Sequence, residues 1–351
     1  MTQRGKHLFT ALAILMAFGI SGAGRTAESP PVLTLMSHDS FAVAESTLAA
    51  FEQAHGVTLK VLKSGDAGAA LNQAILSKKN PLADVFFGVD NTFMSRALNA
   101  DIFEPYASPR LAEIPDALKL DPSRRLLPVD FGDVCINYDR AWFAKSELTP
   151  PQTLDDLIDP AYKGLTVVQN PATSSPGLAF LMATVGALGK PGFETFWRQL
   201  RANEVYISPG WSDAYYGQFS RAKGGTRPII VSYATSPPAE VHYSETPLDQ
   251  APTAALLAPG SAFRQIEFVG ILKGTRQPDL ARELVDFMLG PLFQADIPLH
   301  MWVFPAVKET PLPEVFVKHG RQAADPVLLS PEAIEGGRER WIETWTDIVL
   351  R

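Results

Sequence analysis

The stretch Ile207-Ser208-Pro209-Gly210-Trp211-Ser212-Asp213-Ala214-Tyr215-Tyr216-Gly217 puts three aromatic rings and a carboxylate close together. Val205 to Ile207 has strand composition, Pro209-Gly210 breaks it, and Ser212 is expected to cap a helix with Asp213 in its first turn. Trp211 then sits on a loop at a helix N-terminus, where its ring either anchors core packing or offers a face to a planar or cationic ligand. Further ring faces are Tyr215, Tyr233 and Trp302, and further polar groups at expected strand ends are His38, Asp66, Asp90, Ser174 and Ser175. Rings mixed with the carboxylates Asp66 and Asp90 suit a flat aromatic cation, held by stacking, cation–π attraction and a counter-charge. Ser174, Ser175 and the helix start behind them could receive an anionic tail such as phosphate. The plainer alternative stays open, because Asp66, Asp90-Asn91 and Ser174-Ser175 are also good helix caps.

These residues are positioned by an alternation of strands and helices. Val32–Met36, Leu59–Leu62 and Asp84–Val89 read as strands, followed by helices over Phe41–His55, Ala67–Lys79 and the residues from Asp90-Asn91 to Ala100. Leu127–Tyr138 is one long extended run containing Gly132, with no helix directly behind it, and is expected to cross between two lobes. A second series holds strands Leu165–Val168, Val205–Ile207 and Ile229–Ser232, with helices Leu178–Leu188, Phe193–Ala202 and Ala214–Ala222. Ile266–Lys273 would be the return crossing. Pro278–Met288 and an amphipathic helix over Glu332–Leu350 follow, the latter presenting Ile334, Trp341, Trp345 and Ile348 on one face. The expected fold is α/β and two-lobed, each lobe a mostly parallel sheet flanked by helices, with a cleft between the lobes where strand ends converge. Lobe one is expected to comprise 28–129 plus 266–302, and lobe two 130–265 plus 303–351.

With 351 residues, 46% of them hydrophobic, the chain can build two cores. Its 31 basic and 38 acidic residues give a formal net charge of -7, which supplies no polybasic footprint and argues against nucleic acid as a partner. Residues 1–27 read as a signal peptide: Arg4 and Lys6 precede an apolar run from Leu8 to Ile20, and Ser21-Gly22-Ala23 has the small residues of a cleavage site. A periplasmic monomer is expected. Cys135 is the one cysteine, so no internal disulfide can form. Histidine spacing suggests no zinc site, and no Gly-x-Gly-x-x-Gly, Walker or Gly-x-Ser-x-Gly signature is present, so no cofactor is implied.

Leu-Met-Ser-His-Asp-Ser-Phe (35–41), Ala-Asp-Val-Phe-Phe-Gly-Val-Asp-Asn (83–91), Thr-Ser-Ser-Pro-Gly-Leu (173–178), Gly-Trp-Ser-Asp-Ala-Tyr (210–215), Ser-Tyr-Ala-Thr-Ser-Pro (232–237) and Met-Trp-Val-Phe-Pro-Ala (301–306) occur in that order. Together they resemble the family of periplasmic thiamine-binding proteins of ABC importers, over nearly all of the chain after the signal peptide. The resemblance implies a type II periplasmic binding protein fold that holds thiamine, or its phosphate esters, between the lobes and passes it to an inner-membrane permease. It also implies stacking by Trp211, Tyr233 and Trp302, an acidic contact at Asp66 and a serine contact at Ser174. Two departures are visible: His38 stands where the family often has tyrosine, and Ala239-Glu240 stands where an aromatic is expected.

Two other functions compete with transport of thiamine. Thiamine-degrading enzymes share the architecture and use a cleft cysteine as nucleophile, and Asp133, Cys135 and Asn137 alternate onto one face of the crossing strand. A cysteine between Val134 and Ile136 is equally an apolar packing residue. The pair Tyr215-Tyr216 resembles the adjacent tyrosines of ferric-ion carriers, and a polyamine carrier of the same fold is the remaining alternative.

Overall fold

Alternating apolar residues make a strand of Val32–Ser37 (β1), with Leu33 and Leu35 fully buried. A helix over Glu45–His55 (α1) follows, closed by Gly56 at φ 61°, the left-handed conformation that ends helices and that a side chain would strain. The computed structural model describes residues 29–351, so the expected signal peptide at 1–27 lies outside the described residues. Beyond α1 the order is β2 (Thr58–Lys63), α2 (Ala67–Leu76), β3 (Val85–Asp90), α3 (Met94–Asn99), β4 (Phe103–Glu104) and β5 (Leu127–Asp139). The chain continues through α4 (Arg140–Lys145), β6 (Thr166–Gln169), α5 (Ser175–Ala202), β7 (Tyr206–Ser208), α6 (Trp211–Asp213), β8 (Ile229–Tyr233), α7 (Ser236–His242) and β9 (Thr253–Leu256). It closes with β10 (Ala262–Leu272), α8 (Pro278–Met288), α9 (Pro291–His300), β11 (Phe304–Pro305), α10 (Glu314–His319) and α11 (Pro331–Val349).

These strands form one mixed sheet in the order β2-β1-β3-β10-β5-β8-β6-β7, with β4 on β10 and β9 and β11 on β5. Parallel pairing holds within β2-β1-β3 and within β8-β6-β7, as strand–helix alternation dictates. Between those groups β10 and β5 run antiparallel to each other and to their outer neighbours. The two long extended runs are therefore the shared centre of the sheet, and the expected mostly parallel character applies to the flanks.

Helix α5 is broken at Gly189 and Lys190, whose backbone angles are not helical, which accounts for the two separate helices expected there. Its first turn packs on β6 so closely that a Cβ on Gly177 would lie 2.6 Å from the Gln169 carbonyl oxygen. A helix expected over Ala214–Ala222 is replaced by a single wide turn, Ala214–Gln218. Helix α11 docks through its apolar face: Trp345 is fully buried, edge-on to Trp197 of α5 with ring centres 5.6 Å apart. The same helix reaches α3, where Glu335 accepts from Asn99 (2.7 Å) and the Arg338 guanidinium lies over Phe93.

Replacing Trp345 by alanine removes a ring with no room to be refilled. Trp345→Ala should lower unfolding stability by about 3–5 kcal/mol. Urea titration checks this, and a loss under about 1 kcal/mol would mean that α11 contributes little to the core.

Candidate functional site

The polar residues singled out from sequence converge on the ends of the parallel strands. His38 follows β1, Asp66 follows β2 and caps α2, Asp90 ends β3, Ser174 and Ser175 open α5 after β6, Trp211 follows β7, and Tyr233 ends β8. Helix N-termini and irregular turns meet at such edges and leave backbone groups and side chains free for a ligand. A cavity of about 530 Å³ lined by Thr34, Lys78, Asp84, Lys273 and Arg276 opens instead near the start of β1 and lies away from these residues.

Trp211 is half-buried and held on two sides. Its ring stacks on Tyr215 with centres 4.8 Å apart and planes 24° from parallel, and its Nε1 donates to Ser232 Oγ at 2.9 Å. Tyr216 meets it edge-on at 5.5 Å, so both tyrosines touch Trp211, one by face and one by edge. Tyr215 is tied in turn by its hydroxyl, which donates to Glu240 Oε1 at 2.6 Å. Burial first, and then the Glu240 charge, push that phenol well above its usual range, so it stays a donor. The local helix starts at Trp211 with Gly210 as its cap, and Ser212 is exposed within it; the expected Ser212 cap is therefore corrected. The Ser208 hydroxyl, bonded to Asp213 Oδ2 (2.7 Å) and near the Gly210 carbonyl (2.8 Å), takes over the role of fixing this turn.

Asp66 lies between three elements. Its Oδ1 accepts from Ala67 N at 2.7 Å, and a Cβ on Gly210 would come within 3.4 Å of its Oδ2. Burial raises its carboxyl above the ordinary range, against the pull of the Ala67 N–H, His38 and the facing Ser174 hydroxyl and Ser175 N–H. Ser174 is the N-terminal cap residue of α5 by position, yet its fully buried hydroxyl makes no hydrogen bond. Asp66 is thus a helix cap that also faces the start of α5.

Asp90 does not cap α3, which begins at Met94 behind Phe93 with no side-chain cap. Its Oδ1 instead holds the turn after β3, accepting from Thr92 N (2.8 Å), Thr92 Oγ1 (2.5 Å) and Phe93 N (3.2 Å). Its Oδ2 accepts from Gln265 Nε2 at 2.5 Å. Gln265 also bonds Ser175 Oγ and accepts from Tyr233 OH at 2.8 Å, so one amide joins β3, α5 and β8 to β10. His38 Nε2 lies 3.0 Å from Glu267 Oε1. Burial alone would lower the His38 pKa, but Glu267, Asp66 and Asp90 outweigh it and hold the value above the ordinary one. Room for this imidazole comes from Gly88 at φ 104°, where a Cβ would strike the ring at 2.3 Å.

Tyr233 packs over Gly132, where a Cβ would meet its ring at 3.1 Å. Trp302, at φ 58°, stacks on Phe316 with ring centres 5.7 Å apart and also touches His242 and Tyr243. Its carbonyl accepts from Thr235 Oγ1 at 2.5 Å, which links it to the end of β8 through backbone and not through a shared ring stack with Trp211. Cys135 is fully buried among Ala234, Ala262 and Ala323. Burial, then the Asp133 charge, push its thiol well above the usual range, and Asp133 is itself gripped by Arg264 (2.8 and 2.9 Å) and the Ala323 N–H.

Gln265, Glu267 and Asp130 escaped the sequence reading. They lie in the two central strands, where a polar residue in an apolar run is the available signal. Asp130 is fully buried, raised well above the carboxylate range by burial and by Glu267 beside it. Among the described residues no group of three His, Cys, Asp or Glu side chains is arranged to hold a metal ion, and no helix is long and apolar enough to cross a membrane.

The pKa of Asp90 rises from the ordinary 3.8 to about 6, with burial as the largest cause. A raised carboxyl stabilises the fold below its unfolded pKa, and that contribution is lost as pH climbs through about 6. Over that window ionisation costs roughly 3 kcal/mol at 1.36 kcal/mol per pKa unit. Asp90→Asn keeps an oxygen for Thr92 and Phe93, so its stability relative to the native protein should improve between pH 4 and pH 8. Denaturation at both pH values tests this; a pH-independent difference would show that Asp90 titrates normally.

Residues 80–319 match the model of the family described as bacterial extracellular solute-binding protein. The chain is 31% identical over 327 residues to the thiamine-binding periplasmic protein of Salmonella typhimurium, covering 92% of this chain and 94% of that one. A solved structure of a periplasmic thiamin binding protein superposes with a TM-score of 0.78 at 28% identity, covering 92% of this chain and 97% of the other. Iron-bound HitA from Pseudomonas aeruginosa shares the fold, with a TM-score of 0.73 at 18% identity and coverage of 91% and 99%.

Proposed function

We propose, for a chain that belongs to the bacterial extracellular solute-binding protein family, that it binds thiamine in the periplasm as a monomer and delivers it to the permease of an ABC importer. The observation that carries this reading is the pinned ring of Trp211 beside an edge crowded with carboxylates, for which His38 is the facing base. A planar cation satisfies both halves at once, since its face gains from the indole and its charge from Asp66 and Asp90. In this reading Trp211, Tyr233 and Trp302 stack on the ligand, His38, Asp66, Asp90, Ser174 and Ser175 make polar contacts, and Tyr215 supports Trp211 from behind. The ligand lies between lobes of 28–129 plus 266–302 and 130–265 plus 303–351, with β5 and β10 as the hinge.

A catalytic reading through Cys135 finds little support. A nucleophilic cysteine needs an accessible thiolate, and this thiol is buried among alanines beside a carboxylate that disfavours ionisation. A ferric carrier would present both tyrosine hydroxyls to the metal, whereas the Tyr215 hydroxyl is taken by Glu240. Native mass spectrometry of protein purified without refolding tests the ligand directly: a retained mass equal to thiamine or a phosphate ester supports the reading, and bound iron would overturn it.

Removing the stacking face should weaken binding without loosening the fold. Trp211→Ala is expected to cost about 1–3 kcal/mol of thiamine affinity in calorimetric titration, at a melting temperature near that of the native protein. Unchanged affinity in a folded variant would return Trp211 to a packing role. Asp66→Asn separates charge from capping, because asparagine caps a helix as well as aspartate does. Its stability should hold while thiamine affinity falls by about 1 kcal/mol or more, and a neutral analogue lacking the thiazolium charge should be affected much less. An unchanged ratio between charged and neutral ligands would remove Asp66 from the cation.

A further inference from the structure

In the centre of the sheet β3, β10 and β5 set Asp90, Glu267 and Asp130 opposite one another in one lateral row. Lateral partners share a face of the sheet and sit about 5 Å apart, and like charges placed so are destabilising. Two members of the row have partners. Asp90 is held by Thr92 and Gln265, and Glu267 meets His38 at 3.0 Å. Asp130 is fully buried and neither of its oxygens has a hydrogen-bond donor. A buried carboxyl in that state costs free energy and calls for a reason.

The one base facing the row, His38, meets Glu267 and leaves Asp130 unexplained. Facing the row are His38 from the end of β1, Asp66 from the start of α2, Tyr233 from β8 and Gln265 from β10. Arg264 points to the opposite face, where it grips Asp133 and lies over Phe131, and Arg338 is engaged with Glu339 and Phe93. Pro305, the lateral neighbour of Asp130 in β11, carries no charge. Two carboxyls this close hold a proton in common, since a single ionised member and a single neutral one avoid the repulsion. The neutral member then donates as well as accepts.

We propose that Asp130 and Glu267 form an inner subsite that takes the amino-substituted nitrogen heterocycle of the ligand, one carboxyl donating to a ring nitrogen and the other accepting from the exocyclic amine. This rests on the thiamine reading, whose 4-aminopyrimidine carries that donor and acceptor side by side, while the thiazolium charge is left to Asp66. Burial and then Glu267 push the Asp130 carboxyl well above its ordinary range, which favours its neutral form. A metal ion is a poorer occupant, because no set of three ligating side chains is arranged for one among the described residues.

Calorimetric titration of the whole mature protein with thiamine and with its 4-oxo analogue provides the test. The oxo compound reverses the donor and acceptor on that edge, so the native protein should bind it about 100-fold or more weakly, the discrimination expected of a buried hydrogen-bonding site. Asp130→Asn and Glu267→Gln keep shape but remove the shared proton, and each should cut that ratio to about 10-fold or less with the melting temperature retained. Equal affinities in the native protein would overturn the subsite while leaving the thiamine reading intact. That comparison needs no variant to fold. Failure of the native protein to bind either compound would overturn both.

Discussion

One amide, that of Gln265, holds the site in shape. It bonds Asp90 at the end of β3, Ser175 at the start of α5 and Tyr233 at the end of β8, and it is carried by β10, one of the two strands common to both parallel groups. A buried network of this kind is strong when every member is satisfied and costly when one is lost. It also fixes relative position: any shift of β8 or α5 against β3 must break a bond to Gln265. The polar ends of separate strands thereby become one surface, and the central antiparallel pair does more than connect two halves.

Around that amide the protein tolerates an unfavourable concentration of negative charge. Asp66, Asp90, Asp130 and Glu267 gather near one histidine, and burial raises the first three above the range in which carboxyls normally ionise. A sequence selected for stability alone would place apolar residues in such a row, as β1 and β3 do elsewhere along their length. Under the proposed function, a ligand that brings the missing positive charge and hydrogen-bond donors accounts for the retained carboxyls. Desolvation strengthens that attraction, so the penalty in the empty protein and the gain on binding have the same origin.

Much of this could be read from the sequence, and the remainder was hidden for definite reasons. The βα alternation gave the parallel groups, and Leu127–Tyr138 stood out as an unbroken extended run that is indeed the long central strand β5. Its antiparallel pairing with β10 joins residues more than a hundred positions apart and leaves no local pattern. The same separation concealed Asp130 and Glu267, since each is a single polar residue in an apolar strand until its lateral partner is known. Local chemistry also misled at Trp211, where Ser212 had the composition of a cap but the helix is capped two residues earlier, at Gly210, in a turn fixed by Ser208. Asp90 had the composition of a cap too, and spends its oxygens on the turn before the helix and on Gln265.

Glu240 shows how a departure from a family pattern is settled by its partners. From sequence it stood where an aromatic was expected. In the fold one of its oxygens accepts from Tyr215 OH and the other lies 3.5 Å from Arg221 Nη2. Its charge is therefore matched by Arg221 and the Tyr215 hydroxyl, and it adds little to the attraction for a cation. What it supplies is orientation. A tyrosine free to rotate would leave Trp211 without a backing ring, whereas the bond to Glu240 keeps Tyr215 parallel to the indole at 4.8 Å. Together with the Ser232 contact to Nε1, this fixes both the tilt and the in-plane rotation of Trp211. A stacking face that is already ordered loses less entropy when a ligand settles on it, so the exchange of a ring for a carboxylate gives up contact area and gains preorganisation.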